Sequence, residues 1–356
     1  MVRVLMIIMG CCALLGGMDR IAGNRLGLGK AFEDGFQMLG SLGLSMGGII
    51  CLAPVLAQTL GRVIAPVYHA LGQDPGMFGS ILAIDMGGYQ MAVSLADAPA
   101  VGRFSGILAA AVLGCTVSFT IPTGMGMFTG DTRRRFAQGM LYGLAAMPVS
   151  LVLGALLCGF SLLQALWICL PVVVLSALLM LALVKAPGKT LRGFEVFAAA
   201  LRIVTTAGLA LAAFQYITGW TILPGLAPLE ESMAVVSSIG IMMLGSLPMA
   251  ELLQRFIRRP LNGLGQKLGI GSETVAGMIL TFISVMAGLA VLPRADRKGQ
   301  TMSAAFMVSG ASCLGAHFAF AMNCAPQLGL PLILTKLAGG LLAAAAAGCF
   351  YRREDL

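Results

Sequence analysis

One acidic residue, Asp85, lies in the middle of a strongly apolar stretch, after Ile81–Ile84 and before Met86-Gly87-Gly88. A carboxylate at the centre of a membrane segment costs roughly 3 kcal/mol on insertion scales, so such a residue marks a functional site by default. An anion in a polar pocket attracts a cation, and Gly87 and Gly88 allow the backbone to unwind and turn its carbonyls or amides toward a solute. The pattern favours a cation-binding site at Asp85, with capping of a short helix in a hairpin as the alternative.

Five further polar residues belong to the predicted site. Tyr89 and Gln90 follow Asp85 closely; a Tyr ring face can hold an ammonium group, and a Gln amide can hydrogen-bond a hydroxyl. The other three lie in apolar segments elsewhere: Thr120, Ser284 and His317. For Tyr89, Ser284 and His317, simple packing is the alternative interpretation.

The elements that must position these residues are long apolar helices. Hydrophobic residues make up 58% of the chain and charged residues 11%, and the mean hydropathy is +0.92. A soluble domain needs a charged surface, whereas roughly 20 apolar residues span a bilayer as a helix. The sequence therefore predicts an all-α polytopic membrane protein that forms one domain over residues 1–356. The nine predicted spans are 2–19, 36–56, 103–123, 137–159, 164–184, 196–216, 233–250, 299–321 and 330–350.

Two more apolar stretches, 75–97 and 271–293, are interrupted by residues that form helices poorly. The first contains Asp85 and its two Gly neighbours, and the second contains Ser284, Gly288 and Pro293. Broken backbone is tolerated at membrane depth only where protein buries it or where it lines a wet cavity. We therefore predict two re-entrant hairpins. With the N-terminus outside, this arrangement places most Lys and Arg residues in cytoplasmic loops, as the positive-inside rule requires.

Two parts of the chain share an order of elements and several residues. Pro54 and Pro66 lie twelve residues apart, and so do Pro248 and Pro260. In both parts a Leu-Gly-Gln sequence, an interrupted stretch and an Ala-Asp pair follow. Three predicted spans separate the two parts, and an odd number gives them opposite orientations. The sequence predicts inverted repeats near 36–123 and 233–321, an arrangement that recurs in membrane transporters.

Several classes of function are disfavoured. The net charge of +8 comes from Lys and Arg in short loops, so membrane orientation explains it and we expect no nucleic-acid partner. The nine Cys residues form no Cys-x-x-Cys pair and the two His residues lie far from any Cys cluster, so we expect no metal and no other cofactor. A membrane enzyme acting on lipid head groups would need a His and carboxylate cluster that this sequence does not offer, so we expect no enzyme. A non-transporting amine sensor and a homo-oligomer stay open.

Short motifs occur in a fixed order along the chain. They are Phe32-Glu33-Asp34-Gly35-Phe36, Leu52-Ala53-Pro54-Val55-Leu56-Ala57, Ile64-Ala65-Pro66-Val67-Tyr68, Met77-Phe78, Asp85-Met86-Gly87-Gly88, Gly219-Trp220-Thr221-Ile222-Leu223-Pro224-Gly225-Leu226, Ala276-Gly277-Met278 and Gly315-Ala316-His317. Together they resemble the ethanolamine permeases of bacterial ethanolamine-utilisation operons. The resemblance covers nearly the whole chain, which makes it far more specific than any single motif.

The resemblance implies a multi-pass permease of the bacterial inner membrane that passes protonated ethanolamine into the cytoplasm for catabolism. It supports Asp85 and His317 as site residues, and Glu33 more weakly, since Glu33 also suits a helix start. The sequence departs from the family at Ser284-Val285, where members have two Asn residues, and at Ala316, where they have an Asp. Choline or another small cation therefore stays an alternative substrate. Coupling to protons or to sodium is left open.

Overall fold

The computed structural model describes residues 2–84, 87–267 and 270–351, and every regular element within these ranges is a helix. Eight helices are long and apolar enough to cross a membrane. They are Arg3–Ile21, Leu28–Ala70, Pro99–Met127, Gly130–Leu157, Leu162–Lys185, Pro187–Thr218, Leu229–Ile257 and Pro326–Phe350. The chain is therefore an all-α polytopic membrane protein, as its composition predicts.

The α-helices are numbered in chain order. They are α1 (Val2–Ile21), α2 (Leu28–Leu42), α3 (Gly48–Ala70), α4 (Gly88–Leu95), α5 (Pro99–Phe104), α6 (Ile121–Met127), α7 (Gly130–Leu157), α8 (Leu162–Lys185), α9 (Pro187–Thr218), α10 (Leu229–Lys267), α11 (Ser272–Ile283), α12 (Val285–Val291), α13 (Arg297–Gly310), α14 (Ala316–Cys324) and α15 (Gly329–Phe350). Wider π-helical segments occur at Gly43–Gly47, Ser105–Gly114 and Thr116–Thr120, and 3₁₀ turns at Pro75–Ile81, Leu292–Arg294 and Pro326–Leu328. We call Pro99–Met127, which joins α5, two π-helical segments and α6, the central helix.

The central helix is the most deeply buried of the candidate spans. In an apolar 18-residue part of this helix, 94% of the residues are buried. In the corresponding part of every other candidate span among the described residues, at most 50% of the residues are buried. Its π-helical segment Ser105–Gly114 is rich in small residues, and all of its residues are buried. Small residues let neighbouring backbones approach closely inside a membrane. A polar group bound to this helix is therefore shielded from lipid.

The first interrupted stretch folds back so that its two ends meet at one carboxylate. The Asp74 side chain accepts hydrogen bonds from three backbone N–H groups: those of Gly76 at 2.8 Å, Asp97 at 3.2 Å and Ala98 at 2.9 Å. Gly76 lies at the start of the stretch, Asp97 is its last residue, and Ala98 follows it. This hairpin shape suits re-entry from one side of the membrane, which stays a prediction.

Helices α11 and α12 form the second interrupted stretch, with Ser284 in an extended conformation between them (φ −149°, ψ 130°). The two helices pack closely, because a side chain at Gly288 would collide with Thr281. The start of α11 also contacts the start of α13, since a side chain at Gly299 would collide with Thr274. A long helix followed by an interrupted stretch thus occurs at residues 28–95 and again at 229–291. Their inverted orientation stays a prediction.

The continuous helix predicted over 299–321 is instead two helices. Helix α13 ends at Gly310, and α14 begins at Ala316. Ser312, between them, has a φ of 55°, a left-handed conformation that no α-helix can contain. The structure therefore corrects the predicted eighth span, 299–321, to a third interrupted element.

The gap between α13 and α14 lies directly against the break at Ser284. The N–H groups of Ser312 and Leu314 donate to the carbonyls of Thr281 and Phe282 at 2.9 Å each. In return the Ser312 hydroxyl accepts from the N–H of Val285 at 3.3 Å. Because buried backbone groups must find partners, each break satisfies the hydrogen bonds that the other leaves open. The two breaks in this half of the chain are therefore one structural unit.

Candidate functional site

Asp85 lies outside the described residues, and its role stays a prediction. Gly87, which follows, has a φ of 87°, and a side chain there would collide with Ile49 of α3. At Gly88 a Cβ would lie 3.0 Å from the Cβ of Ala110 in the central helix. The two Gly residues therefore allow the first break to pack tightly between α3 and the central helix.

Tyr89 and Gln90 lie in the first turn of α4. Tyr89 is half-buried, and its ring contacts Phe320 of α14 edge to face, with ring centroids 5.7 Å apart. The first interrupted stretch therefore contacts the helix that carries His317. The Oε1 atom of Gln90 is buried and has no hydrogen-bond partner among the described residues. A buried acceptor without a partner costs roughly 1–3 kcal/mol, so Gln90 is poised to accept a hydrogen bond from a ligand.

His317 lies in the first turn of α14, beside the gap that separates α14 from α13. Its side chain is buried, with 2% of its surface exposed. Within the described part of the chain its Nδ1 atom has no hydrogen-bond partner. His317 and Gln90 are therefore buried polar side chains with bonding capacity that the described residues do not use.

A cavity of about 300 Å³ opens beside the paired breaks of the second half. It is lined by Ala31, Asp34, Met38, Leu247, Glu251, Ile283, Ser284, Ser312, Gly315 and Ala316. Ser284, a predicted site residue, therefore lines a cavity large enough for water or a small solute. His317 directly follows another lining residue, Ala316. The backbone at Gly315 approaches the Ile283 carbonyl so closely that only a Gly fits. This wall of the cavity is broken backbone rather than regular helix.

Two carboxylates from different helices also line this cavity, Asp34 of α2 and Glu251 of α10. Each forms an ion pair on its own helix: Asp34 with Lys30 at 3.6 Å, and Glu251 with Arg255 at 2.8 Å. All four side chains are more than one-third exposed, and Glu251 is the least exposed at 35%. Because α2 starts at Leu28, Asp34 lies in the second turn of that helix. The cavity is thus bordered by two carboxylates, each partly neutralised by a Lys or Arg on its own helix.

Thr120 is fully buried in the central helix, and its Oγ1 atom lies 3.9 Å from the Sγ atom of Cys115. It is not among the residues that line the cavity. The predicted site residues thus fall into separate groups. Gly87 to Gln90 pack against α3, the central helix and α14, Ser284 and His317 lie at the paired breaks, and Thr120 lies within the central helix.

Lys336 is a candidate functional residue that our site prediction omitted. It lies in α15, has no exposed surface, and donates from Nζ to the Ala111 carbonyl of the central helix at 2.7 Å. A lysine inside the predicted span 330–350 is the same signal as an acid inside an apolar stretch, since either charge is costly in a membrane. Its carbonyl partner, 225 residues away in the chain, has no sequence signal.

Comparison with known proteins identifies the family. Residues 1–350 match the family described as "Ethanolamine utilisation protein, EutH". The chain belongs to the EutH family. A probable ethanolamine permease EutH of Listeria monocytogenes is 37% identical over 344 residues, which cover 96% of this chain and 92% of that protein. A probable ethanolamine permease EutH of Escherichia coli is 34% identical, with 99% of this chain and 96% of that protein covered.

An uncharacterized protein of Bacillus subtilis, YxeR, is also similar, with 36% identity over 96% of this chain and 92% of that protein. No solved structure matches the chain. Bacterial relatives over nearly the full length and eight membrane-capable helices make this EutH-family chain a multi-pass protein of the bacterial inner membrane.

Proposed function

We propose that this chain is a permease that carries ethanolamine, as its protonated cation, across the inner membrane into the cytoplasm, where it is catabolised. The observation that carries the proposal is the full-length similarity to relatives named probable ethanolamine permeases. A transporter also suits a bundle with interrupted helices packed at its centre. An enzyme acting on lipid head groups has no comparable support, because two of these relatives are named as probable permeases and none as an enzyme.

The substrate presents an ammonium group at one end and a hydroxyl group at the other. In our proposal the ammonium group binds Asp85 and backbone carbonyls near Gly87, with the Tyr89 ring beside it. The hydroxyl group binds Gln90, Ser284 or His317. Support comes from the buried Gln90 Oε1 and His317 Nδ1 atoms, which have no partner among the described residues. A ligand that satisfies such atoms removes their desolvation cost and gains affinity.

In our proposal the cavity beside Ser284 is the aqueous path between the cytoplasm and this site. With the predicted orientation, Asp34 and Glu251 lie on its cytoplasmic side. Carboxylates in a cleft raise the local concentration of cations without holding them tightly. We propose that substrate leaves past these two acids after one repeat rocks against the other, as in other carriers with inverted repeats.

Uptake of labelled ethanolamine into proteoliposomes tests the proposal. We expect uptake by the wild-type protein above that of protein-free liposomes, and at least a tenfold loss in Asp85→Asn, which keeps the shape of the side chain but removes its charge. Glu195→Gln is the matched control, since Glu195 is exposed on α9 and should tolerate neutralisation. Uptake by Asp85→Asn at the wild-type rate would exclude Asp85 as the cation site.

A second assay separates ethanolamine from the alternative substrates and from sensing. Choline has no N–H group, so it cannot hydrogen-bond to backbone carbonyls through its nitrogen, and we expect it to compete at least tenfold less well. Propanolamine keeps the ammonium group and should compete better than choline. Counterflow of labelled ethanolamine against internal unlabelled ethanolamine distinguishes a carrier from a sensor, since a sensor binds without exchange.

A further inference from the structure

Lys336 is a buried cation in a protein that, by the proposed function, must carry another cation. Its side chain has no exposed surface, and its Nζ atom donates to the Ala111 carbonyl at 2.7 Å. An ammonium group has three N–H donors, and this is the bond it makes to the described residues. Lysine and ethanolamine both end in a primary ammonium group. Lys336 therefore shows that a primary ammonium group is accommodated on a backbone carbonyl at the centre of this bundle.

Lys336 lies next to the segments that surround the candidate site in both halves of the chain. Its acceptor, Ala111, directly follows Ala110, which packs against Gly88 of the first break. Helix α15 itself packs on α13, where Gly340 contacts the ring of Phe306. The carbonyl that accepts the Lys336 hydrogen bond therefore belongs to the residue next to one that contacts the first break. Helix α15, which carries Lys336, packs on α13, and α13 ends at the gap before α14.

The ionisable groups that face the Lys336 ammonium from the packed elements are two thiols and one imidazole. Cys115 of the central helix, Cys313 of the gap between α13 and α14, and His317 of α14 are near enough to interact with it electrostatically. None of these three is a carboxylate. A second ammonium group that came close to Lys336 would meet a like charge, which is unfavourable in a low-dielectric interior.

We propose that Lys336 is the charge-compensating residue of transport, so that the site holds one primary ammonium group at a time. This inference rests on the proposed function. When the substrate ammonium enters from outside, one N–H bond of the Lys336 Nζ breaks, the electron pair stays on nitrogen, and the proton passes to water on the outer side. After the carrier opens inward and the substrate leaves, the neutral amine takes a proton from cytoplasmic water. One ethanolammonium ion enters for each proton that leaves, and the cycle moves no net charge.

The test measures the driving force of ethanolamine uptake in proteoliposomes. A carrier that moves one positive charge accumulates substrate tenfold for an inside-negative potential of about 60 mV, imposed with potassium and valinomycin. We expect the accumulation of ethanolamine by the wild-type protein to be independent of this potential. We expect it to rise about tenfold when the interior is one pH unit more acidic than the exterior. Protein-free liposomes correct for passive entry of neutral ethanolamine.

Variants at Lys336 assign the effect to this residue. Lys336→Met keeps the length of the side chain without a titrating group, so we expect its uptake to follow the potential and to lose its dependence on the pH gradient. Lys336→Arg keeps a permanent charge and should lower uptake at least tenfold. Lys189→Met, the same change at an exposed position on α9, should behave like the wild type.

The outcomes are distinct. Wild-type uptake that follows the potential overturns the inference while leaving ethanolamine transport intact, and this measurement does not depend on the folding of any variant. The inference is also overturned if Lys336→Met transports more slowly than the wild type but keeps the wild-type dependence on the potential and on the pH gradient. A purely structural role for Lys336 would change the rate alone. If the wild-type protein shows no uptake above protein-free liposomes, the proposed function itself fails and the inference falls with it.

Discussion

The close approach of the central helix to the first break can be tested by a single added methyl group at Gly114. This residue ends the π-helical segment Ser105–Gly114. A Cβ atom at Gly114 would lie 2.8 Å from the backbone nitrogen of Ala83, and closer still to the carbonyl of Leu82. Ordinary contact begins at 3.4 Å, so the backbone of the break must move by at least 0.6 Å, the difference between these distances.

The cost of Gly114→Ala follows from the fact that backbone, and not a flexible side chain, must yield. Overpacking in a core costs about 1–3 kcal/mol, and the rigid neighbours place this site at the upper end. The substitution of Ala for Gly in a helix returns roughly 0.5–1 kcal/mol, which leaves a net loss of roughly 2 kcal/mol. With an entropy of unfolding of about 2.1 cal/mol/K per residue, this lowers the Tm of a 356-residue chain by roughly 3 °C. Because displacement of a binding segment by about 1 Å can cost a hundredfold in rate, we expect ethanolamine uptake to fall at least tenfold.

The same substitution in the same helix provides the control. A Cβ atom at Gly126, in α6, meets no atom within 4 Å, so Gly126→Ala should be neutral or stabilise the protein by up to about 1 kcal/mol. Thermal unfolding in detergent and proteoliposome uptake are measured for both variants. Equal Tm and equal uptake for Gly114→Ala and the wild type would refute the packing of the first break against the central helix.

Two further predictions concern the same hairpin. Asp74→Ala removes the acceptor of three backbone N–H groups and should lower the free energy of unfolding by about 1–3 kcal/mol. Asp74→Asn keeps one acceptor oxygen and should lower it by less. Thermal unfolding measures both variants, and equal losses would contradict the hydrogen bonds seen at the ends of the hairpin. Gly87→Ala should lower the free energy of unfolding by at least about 1–2 kcal/mol because φ is 87°, and its collision with Ile49 adds a further loss. The double variant Gly87→Ala, Ile49→Ala should lose less free energy of unfolding than the sum of the two single variants. Additive losses would show that the two residues do not collide.

The existence of most helices could be predicted from hydropathy, but their ends could not. The span predicted at 164–184 nearly coincides with Leu162–Lys185, because a capping box of Ser161 and Gln164 and a terminal Lys bound the apolar run. The span predicted at 36–56 is only the middle of Leu28–Ala70. That helix continues through Pro54, a residue that ordinarily ends or kinks a helix, since neighbouring helices can satisfy a freed carbonyl in a membrane bundle.

The gap between α13 and α14 could not be predicted, because its cause lies elsewhere in the chain. Gly310 and Gly315 flank it, but a sequence with 47 Gly residues gives such a pair no special weight. What opens the helix is the pair of carbonyls at Thr281 and Phe282, which take the N–H groups that would otherwise continue α13. For the candidate site, sequence patterns predicted Gln90, Ser284 and His317, and this stays a prediction. Which of their atoms lack partners among the described residues depends on packing that only the structure shows.

The two kinds of polar group near the cavity contribute differently to binding. Asp34 and Glu251 are partly exposed and already paired with Lys30 and Arg255, and exposed pairs of this kind are worth about 0–1 kcal/mol. A cation therefore displaces these partners at little cost and gains little, so the acids steer substrate rather than hold it. Buried acceptors without partners are different, since each carries roughly 1–3 kcal/mol of unrelieved desolvation in the empty protein. Selectivity for an amino alcohol must accordingly arise beside the broken backbone, at buried atoms such as Gln90 Oε1 and His317 Nδ1. The substrate can donate hydrogen bonds to these atoms from its N–H and O–H groups, whereas an inorganic cation has no hydrogen to donate.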